Sequence, residues 1–157
     1  MNYPKYLSLP EDSFLIYRFT SAGPNGLVQK TVTYSPTDVE NVYNLGFGDY
    51  NPITKTVNDL SVTNNRDSYK VLATVASTVN VFMDRYPKAW IVISGSTPAR
   101  TRLYRIAINN NFSEISEDFV IFGYDPDGDW ERFMAGKAYD IFLITKKENE
   151  HALWKRD

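Results

Sequence analysis

The sequence predicts an α+β fold: a mostly antiparallel sheet of about five to seven strands with two helices packed on one face. Three observations predict it. The first third of the chain alternates apolar and polar residues, the middle follows a helical period, and alternation returns in the last third. This order differs from the strict β–α alternation that builds a parallel sheet.

The first third of the chain predicts antiparallel strands. Residues 15–19 alternate large apolar side chains with polar or opposite-facing ones, and the turn-forming sequence of residues 21–26 leads into a β-branched stretch at residues 27–34. This pattern is typical of a β-hairpin. Residues 43–48 predict a strand with one large apolar face and one nearly bare face, and residues 57–62 are expected to pair back.

The middle of the chain predicts a long helix. Its apolar residues recur at intervals of three and four, and they are Leu72, Val75, Ala76, Val79, Phe82, Met83 and Tyr86. Asn65 or Asp67 is suited to cap the helix start, and Pro87 ends it. Many β-branched residues lower the helix propensity here, but the segment is longer than an ordinary strand.

A strand and a second helix follow. Residues 89–93 form a continuous apolar run, which predicts a strand covered on both faces. The helix is expected from Pro98 to about Asn110, with Thr97 as its N-cap and the proline at a position where its missing N–H does no harm.

The last third predicts strands again. They are expected at residues 119–124, 130–134 and 139–146, with an aspartate-rich turn at residues 125–129. From Glu148 to Asp157 the chain is polar except for a Leu-Trp pair, which is typical of either a short docking helix or a frayed end.

Composition restricts the classes of protein. The 157 residues are 43% hydrophobic and 15% aromatic, which predicts one globular domain over residues 1–157. A net charge of −2 gives no general case for nucleic-acid binding, and the apolar runs are too short to cross a membrane. The absence of cysteine and of a leader-like start predicts a cytoplasmic protein.

The junction at Gly95 is the one chemically suggestive segment. A helix N-terminus attracts anions, and this one carries two hydroxyl groups and several arginines. The candidate anion-binding residues are Ser96, Thr97, Arg100, Arg102 and Tyr104. The alternative is an internal salt bridge from Arg100 to Glu114, Glu117 or an acidic loop, which is the commoner arrangement.

Helical geometry assigns these side chains to faces. At about 100° per residue, Ala99, Leu103, Ile106 and Ala107 share one face, which we expect to be buried. Arg102 and Arg105 then point to solvent, while Arg100 and Tyr104 lie at the boundary. Since a cation in the first turn opposes the helix dipole, Arg100 is expected beside an anion.

No metal or cofactor site is predicted. The loop containing Asp125, Asp127 and Asp129 lacks the spacing of a calcium-binding loop, because Gly136 stands where a bidentate glutamate is needed. No phosphate loop or nucleophile elbow is present in the sequence. The sequence leaves open an enzyme whose catalytic groups are carboxylates, tyrosine and arginine.

Four stretches of the sequence are distinctive. They are VYNLGFGD (Val42–Asp49), NNRDSYKVLATV (Asn64–Val75), GSTPARTRLYR (Gly95–Arg105) and YDIF (Tyr139–Phe142). Together they resemble a family of small uncharacterised bacterial proteins, a domain of unknown function, over most of the chain. The resemblance implies no activity, but it draws attention to Asp49, Asn65 and Asp67 as neighbours of Arg100 in one cleft.

The sequence therefore favours a binding or protein-interaction domain without catalysis. Such a domain is expected to be an accessory or regulatory partner of another protein, or to form a homo-oligomer. The alternative is an enzyme or sensor that binds a phosphorylated small molecule or nucleic acid at the Ser96–Arg100 helix end. Nucleic acid is the less favoured ligand, because most of the aromatic residues occupy positions expected in the core.

Overall fold

The fold was obtained as a computed structural model, and the structure describes residues 4–58 and 65–150. The chain divides into two compact units. The first unit comprises Met1–Ser35 and Leu45–Arg85, and the second comprises Pro36–Asn44 and Tyr86–Asp157. The expectation of a single domain and the expectation that the two predicted helices pack on one face of the sheet stay predictions.

The described residues form nine strands and three α-helices. The strands are β1 (Leu9–Pro10), β2 (Ile16–Gly23), β3 (Gly26–Pro36), β4 (Val42–Asn51), β5 (Thr56–Asn58), β6 (Trp90–Ser94), β7 (Phe119–Tyr124), β8 (Trp130–Arg132) and β9 (Ile141–Lys146). The helices are α1 (Ser68–Arg85), α2 (Pro98–Asn110) and α3 (Phe112–Ile115), and a 3-10 helix covers Lys147–Asn149.

The α+β class is confirmed, but the expected number of strands is wrong. Strands β5 and β8 lie in stretches that were expected to be strands, whereas β1, with only two residues, is too short for an alternating pattern to be recognised. The four-residue helix α3 was likewise not predicted. Of the strand expected at residues 57–62, the first two residues lie in β5, and the rest lie outside the described residues.

The strands of the first unit follow the order β1–β2–β3–β4, with β5 paired to β4. The β2–β3 hairpin closes at Gly23 and Gly26, as the turn signal predicted. Pairings β1–β2, β2–β3 and β4–β5 are antiparallel. The alternation along β2 and β3 places Tyr17, Phe19, Val32 and Tyr34 in the core.

Helix α1 packs in this core through the predicted stripe. Leu72, Val75, Phe82 and Met83 are buried, and the ring of Phe82 stacks on Tyr34 at 4.1 Å between centroids. The helix also buries Thr74 and Thr78, whose hydroxyl groups donate to backbone carbonyls one turn back. Those bonds satisfy polar groups that would otherwise be costly inside a core.

The second unit contains the order β6–β9–β7–β8, all paired antiparallel. Its apolar cluster comprises Trp90, Val120, Phe122 and Leu143, with Val92 packed against it. Strand β6 has buried residues on both faces, as its continuous apolar run predicted. The tail beyond Glu150 lies outside the described residues.

Candidate functional site

The predicted anion-binding residues lie in the second unit, at the start of α2. Thr97 is the N-cap: its backbone is extended, and its hydroxyl oxygen accepts the backbone N–H of Arg100 at 3.2 Å. Pro98 occupies the first turn, so both features of the predicted start are confirmed. Ser96 and Arg102 are exposed, and Arg100 is half-buried. One first-turn N–H is therefore already bound within the protein.

The expected buried face of α2 is wrong. The structure buries Thr101, Tyr104 and Ile108, whereas Ala99 is exposed. Apolar composition misassigned the face because two of the three buried residues are a threonine and a tyrosine. The Thr101 hydroxyl donates to the Gly95 carbonyl at 3.4 Å, and a side chain at Gly95 would overlap the backbone of Thr101. Tyr104 is thus a core residue of the second unit.

The expected solvent-facing role of Arg105 is also wrong. Its Nε donates to the Tyr139 carbonyl at 3.2 Å, and its Nη2 lies 3.2 Å from a carboxylate oxygen of Asp140. Arg105 therefore ties α2 to the segment before β9. Of the predicted anion-binding residues, Ser96 and Arg102 are exposed, Thr97 and Arg100 are half-buried, and Tyr104 is buried.

The three expected cleft neighbours lie in the first unit, where each has a defined partner. Asp67 accepts hydrogen bonds from the Tyr6 hydroxyl at 2.6 Å and the Ser21 hydroxyl at 2.5 Å. Asn65 donates to the Ser21 hydroxyl oxygen and to the Gly26 carbonyl. Asp49 forms an ion pair with Lys30.

A cavity of about 500 Å³ opens beside these residues in the first unit. We call it the first-unit cavity. Its lining residues come from the N-terminal segment and from strands β1 to β4, and they are Tyr6, Leu7, Leu9, Arg18, Phe19, Thr20, Gln29, Lys30 and Tyr50. Asp67 and Asp49 thus stand directly behind two of its lining side chains, Tyr6 and Lys30.

Tyr6 is held rigidly at the cavity wall. Its hydroxyl donates to Asp67 and accepts the Ala22 N–H at 3.1 Å, and its backbone N–H donates to Thr74. The ring stacks on Phe19 at 5.7 Å. Burial raises the pKa of Tyr6 above its usual 10.0, and the Asp67 carboxylate raises this pKa further, so the phenol stays neutral at physiological pH.

Lys30 is a buried cation. Its side chain is 7% exposed and that of Asp49 is 19% exposed, and the two form an ion pair across β3 and β4. Because a buried charge is costly unless it is paired, the carboxylate is what allows a lysine at this position.

Arg18 is an exposed residue of the cavity lining. Its guanidinium lies 4.4 Å from the centroid of the Tyr50 ring, and its Nη2 is 3.0 Å from Glu11. A guanidinium stacked on an aromatic ring presents a flat, partly apolar surface. The cavity thus combines aromatic walls with two cations, each of which is paired with a carboxylate.

Sequence reasoning missed Tyr6, Arg18 and Lys30. A signal existed for Lys30, because it occupies an inward position in the alternation of Val28, Lys30 and Val32 along β3. A charge at such a position indicates a buried partner. Tyr6 carried no signal, because its contacts depend on Asp67, a residue 61 positions away.

The aspartate-rich turn of the second unit has a cation of its own. Lys137 Nζ lies 2.9 Å from Asp125 and 2.8 Å from Glu131, and the Tyr139 hydroxyl donates to Glu131 at 2.8 Å. The ammonium group therefore occupies the space between two carboxylates. Hydrogen bonds to Glu131 and Asp125 raise the pKa of Lys137, and the bond from Lys137 lowers the pKa of Asp125. In the described ranges, no group of three or more His, Asp or Glu residues is arranged to hold a metal ion.

Comparison with known proteins identifies the family of the chain. No curated protein and no solved structure matches the chain. Within the described ranges, no helix is long and apolar enough to span a membrane. A family model, described as a family of unknown function (DUF6934), matches residues 2–147. The match covers nearly the whole chain and agrees with the expected domain of unknown function, and the protein therefore belongs to this family.

Proposed function

We propose that this protein is a non-catalytic binding protein that holds a protein partner at the first-unit cavity. One observation carries the proposal: two leucines that line the cavity, Leu7 and Leu9, are 82% and 64% exposed. We call Leu7 and Leu9 the leucine rim of the first-unit cavity.

Exposed leucines beside a concave site are typical of an interaction surface. Isolated apolar side chains on a surface are ordinary, but clustered ones beside a pocket indicate a contact with another molecule. Partner side chains that fill such pockets usually contribute most of the binding energy. The aromatic walls formed by Phe19 and Tyr50 suit an apolar or aromatic side chain, and Gln29 and Arg18 can bind polar groups at its edge.

The charged groups of the cavity support binding rather than catalysis. A general acid or base works best when its pKa lies near the working pH. The pKa of Tyr6 is raised away from neutrality, and Lys30 is held in an ion pair with Asp49. The Tyr6 phenol therefore stays neutral, and the ion pair between Lys30 and Asp49 keeps the cavity wall in place.

The family match adds no activity, so the physiological role is inferred from the surface alone. An accessory or regulatory partner of another protein fits a binding surface without catalytic groups, and self-association is the alternative occupant of the same surface. We further infer a bacterial cytoplasmic protein, which the absence of cysteine and the sequence resemblance support.

Substitution of the rim tests the proposal. The protein is used as bait for extracts, each recovered partner is purified, and its affinity is measured by calorimetry. Leu7→Asp and Leu9→Asp are expected to weaken binding at least about tenfold, because a charge then replaces apolar contact. Ile53→Asp is the control, since Ile53 is 90% exposed, belongs to the same unit and does not line the cavity.

Two results would contradict this function. One is an equal loss of affinity in Leu7→Asp and Ile53→Asp, which would show that a charge added elsewhere on the surface weakens binding as much as one added at the rim. The other is a monomer in light scattering that recovers no partner under any condition. A homo-oligomer that Leu9→Asp dissociates would instead identify a second copy as the occupant of the leucine rim.

The start of α2 supports a second proposal, a site for a phosphorylated ligand. Its first turn contains no acidic residue, and Ser96 and Arg102 are exposed beside it. The expected result is that Arg100→Ala weakens binding of phosphate esters in a thermal-shift titration while the unliganded melting temperature stays nearly constant. A large loss of stability without any ligand effect would support the internal salt bridge for Arg100.

A further inference from the structure

The second unit contains a cavity of its own, of about 300 Å³. It is lined by residues of β7, of α3 and of the 3-10 helix that follows β9, together with residues in and next to β8. Its lining residues are Phe112, Ser116, Phe119, Val120, Ile121, Arg132, Phe133, Lys147 and Glu150. This cavity belongs to neither the leucine rim nor the start of α2.

The floor of this cavity is apolar and aromatic. The rings of Phe112 and Phe133 lie 5.0 Å apart at a tilt of 35°, and Val120 and Ile121 complete the wall. Phe133 is buried, but Phe112 and Phe119 remain half-buried. Because a phenyl ring in contact with water is unfavourable, an apolar group in the cavity gains by covering these two rings.

The rim of the cavity is charged and carries an excess of cations. Arg132 forms an ion pair with Glu150, and Lys147 adds a second positive charge. Lys147 has an exposed side chain, while its backbone N–H donates to the Asp118 carbonyl at 3.2 Å and fixes its position. Two cations and one carboxylate leave the rim with a net charge of +1, which favours an anion.

We propose that this cavity binds a small amphipathic carboxylate, whose aromatic or short aliphatic body lies on Phe112, Phe119 and Phe133. Its carboxylate contacts Lys147 and shares Arg132 with Glu150. The intramolecular pair shows that Arg132 can bind a carboxylate at this position. Glu150 is then a competitor for the ligand, so its removal strengthens binding.

Calorimetry and amide chemical-shift titration of the full chain test the site with two probes. The first probe is 4-phenylbutyrate, and the second is 4-phenylbutan-1-ol, which has the same apolar body without the charge. The expected result is that the carboxylate binds about tenfold more tightly than the alcohol. The changes in amide chemical shift on addition of 4-phenylbutyrate should be largest at residues 119–121 and 133.

Opposite charge changes at the rim provide the decisive comparison. Lys147→Gln is expected to weaken 4-phenylbutyrate binding about fivefold, whereas Glu150→Gln is expected to strengthen it about threefold; neither should affect the alcohol. The matched control is Lys88→Gln, because Lys88 is exposed in the same unit and does not line the cavity. Equal affinity for the two probes, or a weakening in Glu150→Gln, would overturn the proposal, as would the absence of binding at millimolar probe.

Discussion

The ion pair between Lys30 and Asp49 allows a sharp test of how the first unit is stabilised. Asp49→Asn retains the shape of the side chain but removes the carboxylate that neutralises Lys30. Removal of one partner of a buried pair costs about 3–5 kcal/mol. Because Asp49 is 19% exposed, we take the lower end and expect the free energy of unfolding to fall by about 3 kcal/mol.

The assay is urea unfolding followed by far-ultraviolet circular dichroism at neutral pH. For a chain of this size, with a slope of about 2 kcal/mol per molar urea, the midpoint should move by about 1.5 M. The double variant Lys30→Met/Asp49→Leu should lie within about 1 kcal/mol of the unsubstituted protein, because no unpaired charge remains.

A surface pair in the same unit gives the matched control. Arg18 and Glu11 have side chains 46% and 43% exposed, so Glu11→Gln should cost less than about 1 kcal/mol. The reasoning is refuted if Asp49→Asn costs no more than Glu11→Gln. It is refuted equally if the double variant is as unstable as Asp49→Asn.

Three further predictions concern the second unit. Gly123→Ala should lower the free energy of unfolding by about 1–3 kcal/mol in urea titrations, because the added methyl group would overlap the buried ring of Tyr139. Thr97→Ala should lower it by about 1 kcal/mol through loss of the N-cap of α2. Lys137→Met should flatten the dependence of the urea midpoint on pH. Because folding lowers the pKa of Asp125, this carboxylate stabilises the fold at pH values above its usual pKa of 3.8, and the stabilisation disappears in acid. Because folding raises the pKa of Lys137, this ammonium group stabilises the fold at pH values below its usual pKa of 10.5, and the stabilisation disappears in alkali.

Controls for these three changes are available in the chain. Gly128→Ala adds a methyl group where nothing lies within 4 Å, so a loss as large as in Gly123→Ala would contradict the overlap. Thr97→Ser retains the capping hydroxyl and should keep the stability. Lys88→Met removes an exposed cation outside the carboxylate cluster, and a pH profile changed as much as in Lys137→Met would rule out the local origin.

Much of the local structure could be predicted, because local patterns are enough to specify it. The stripe along α1, the β2–β3 turn and the Thr97 cap each depend on residues a few positions apart. Hydrophobicity alone does not identify the buried face of α2, since two of its three buried residues are Thr101 and Tyr104. The two-residue strand β1 was not anticipated, because so short a segment carries no detectable period.

The candidate site could be predicted only in part. Asp49, Asn65 and Asp67 were identified as residues of interest, but their partners could not be named. The Tyr6–Asp67 bond joins residues 61 positions apart, and the Ser21–Asn65 bond joins residues 44 apart. Sequence periodicity carries no information about such distant pairs.

By itself, the sequence determined the α+β class, the long helix and the capped start of α2, because backbone propensity and hydrophobic period act over one or two turns of chain. Only the tertiary structure decided which polar groups became partners. Tyr6 meets Asp67, and Lys30 meets Asp49, because strand pairing and helix packing bring distant residues into contact. Burial then makes each partner necessary, since a polar group removed from water must find its hydrogen bond within the protein.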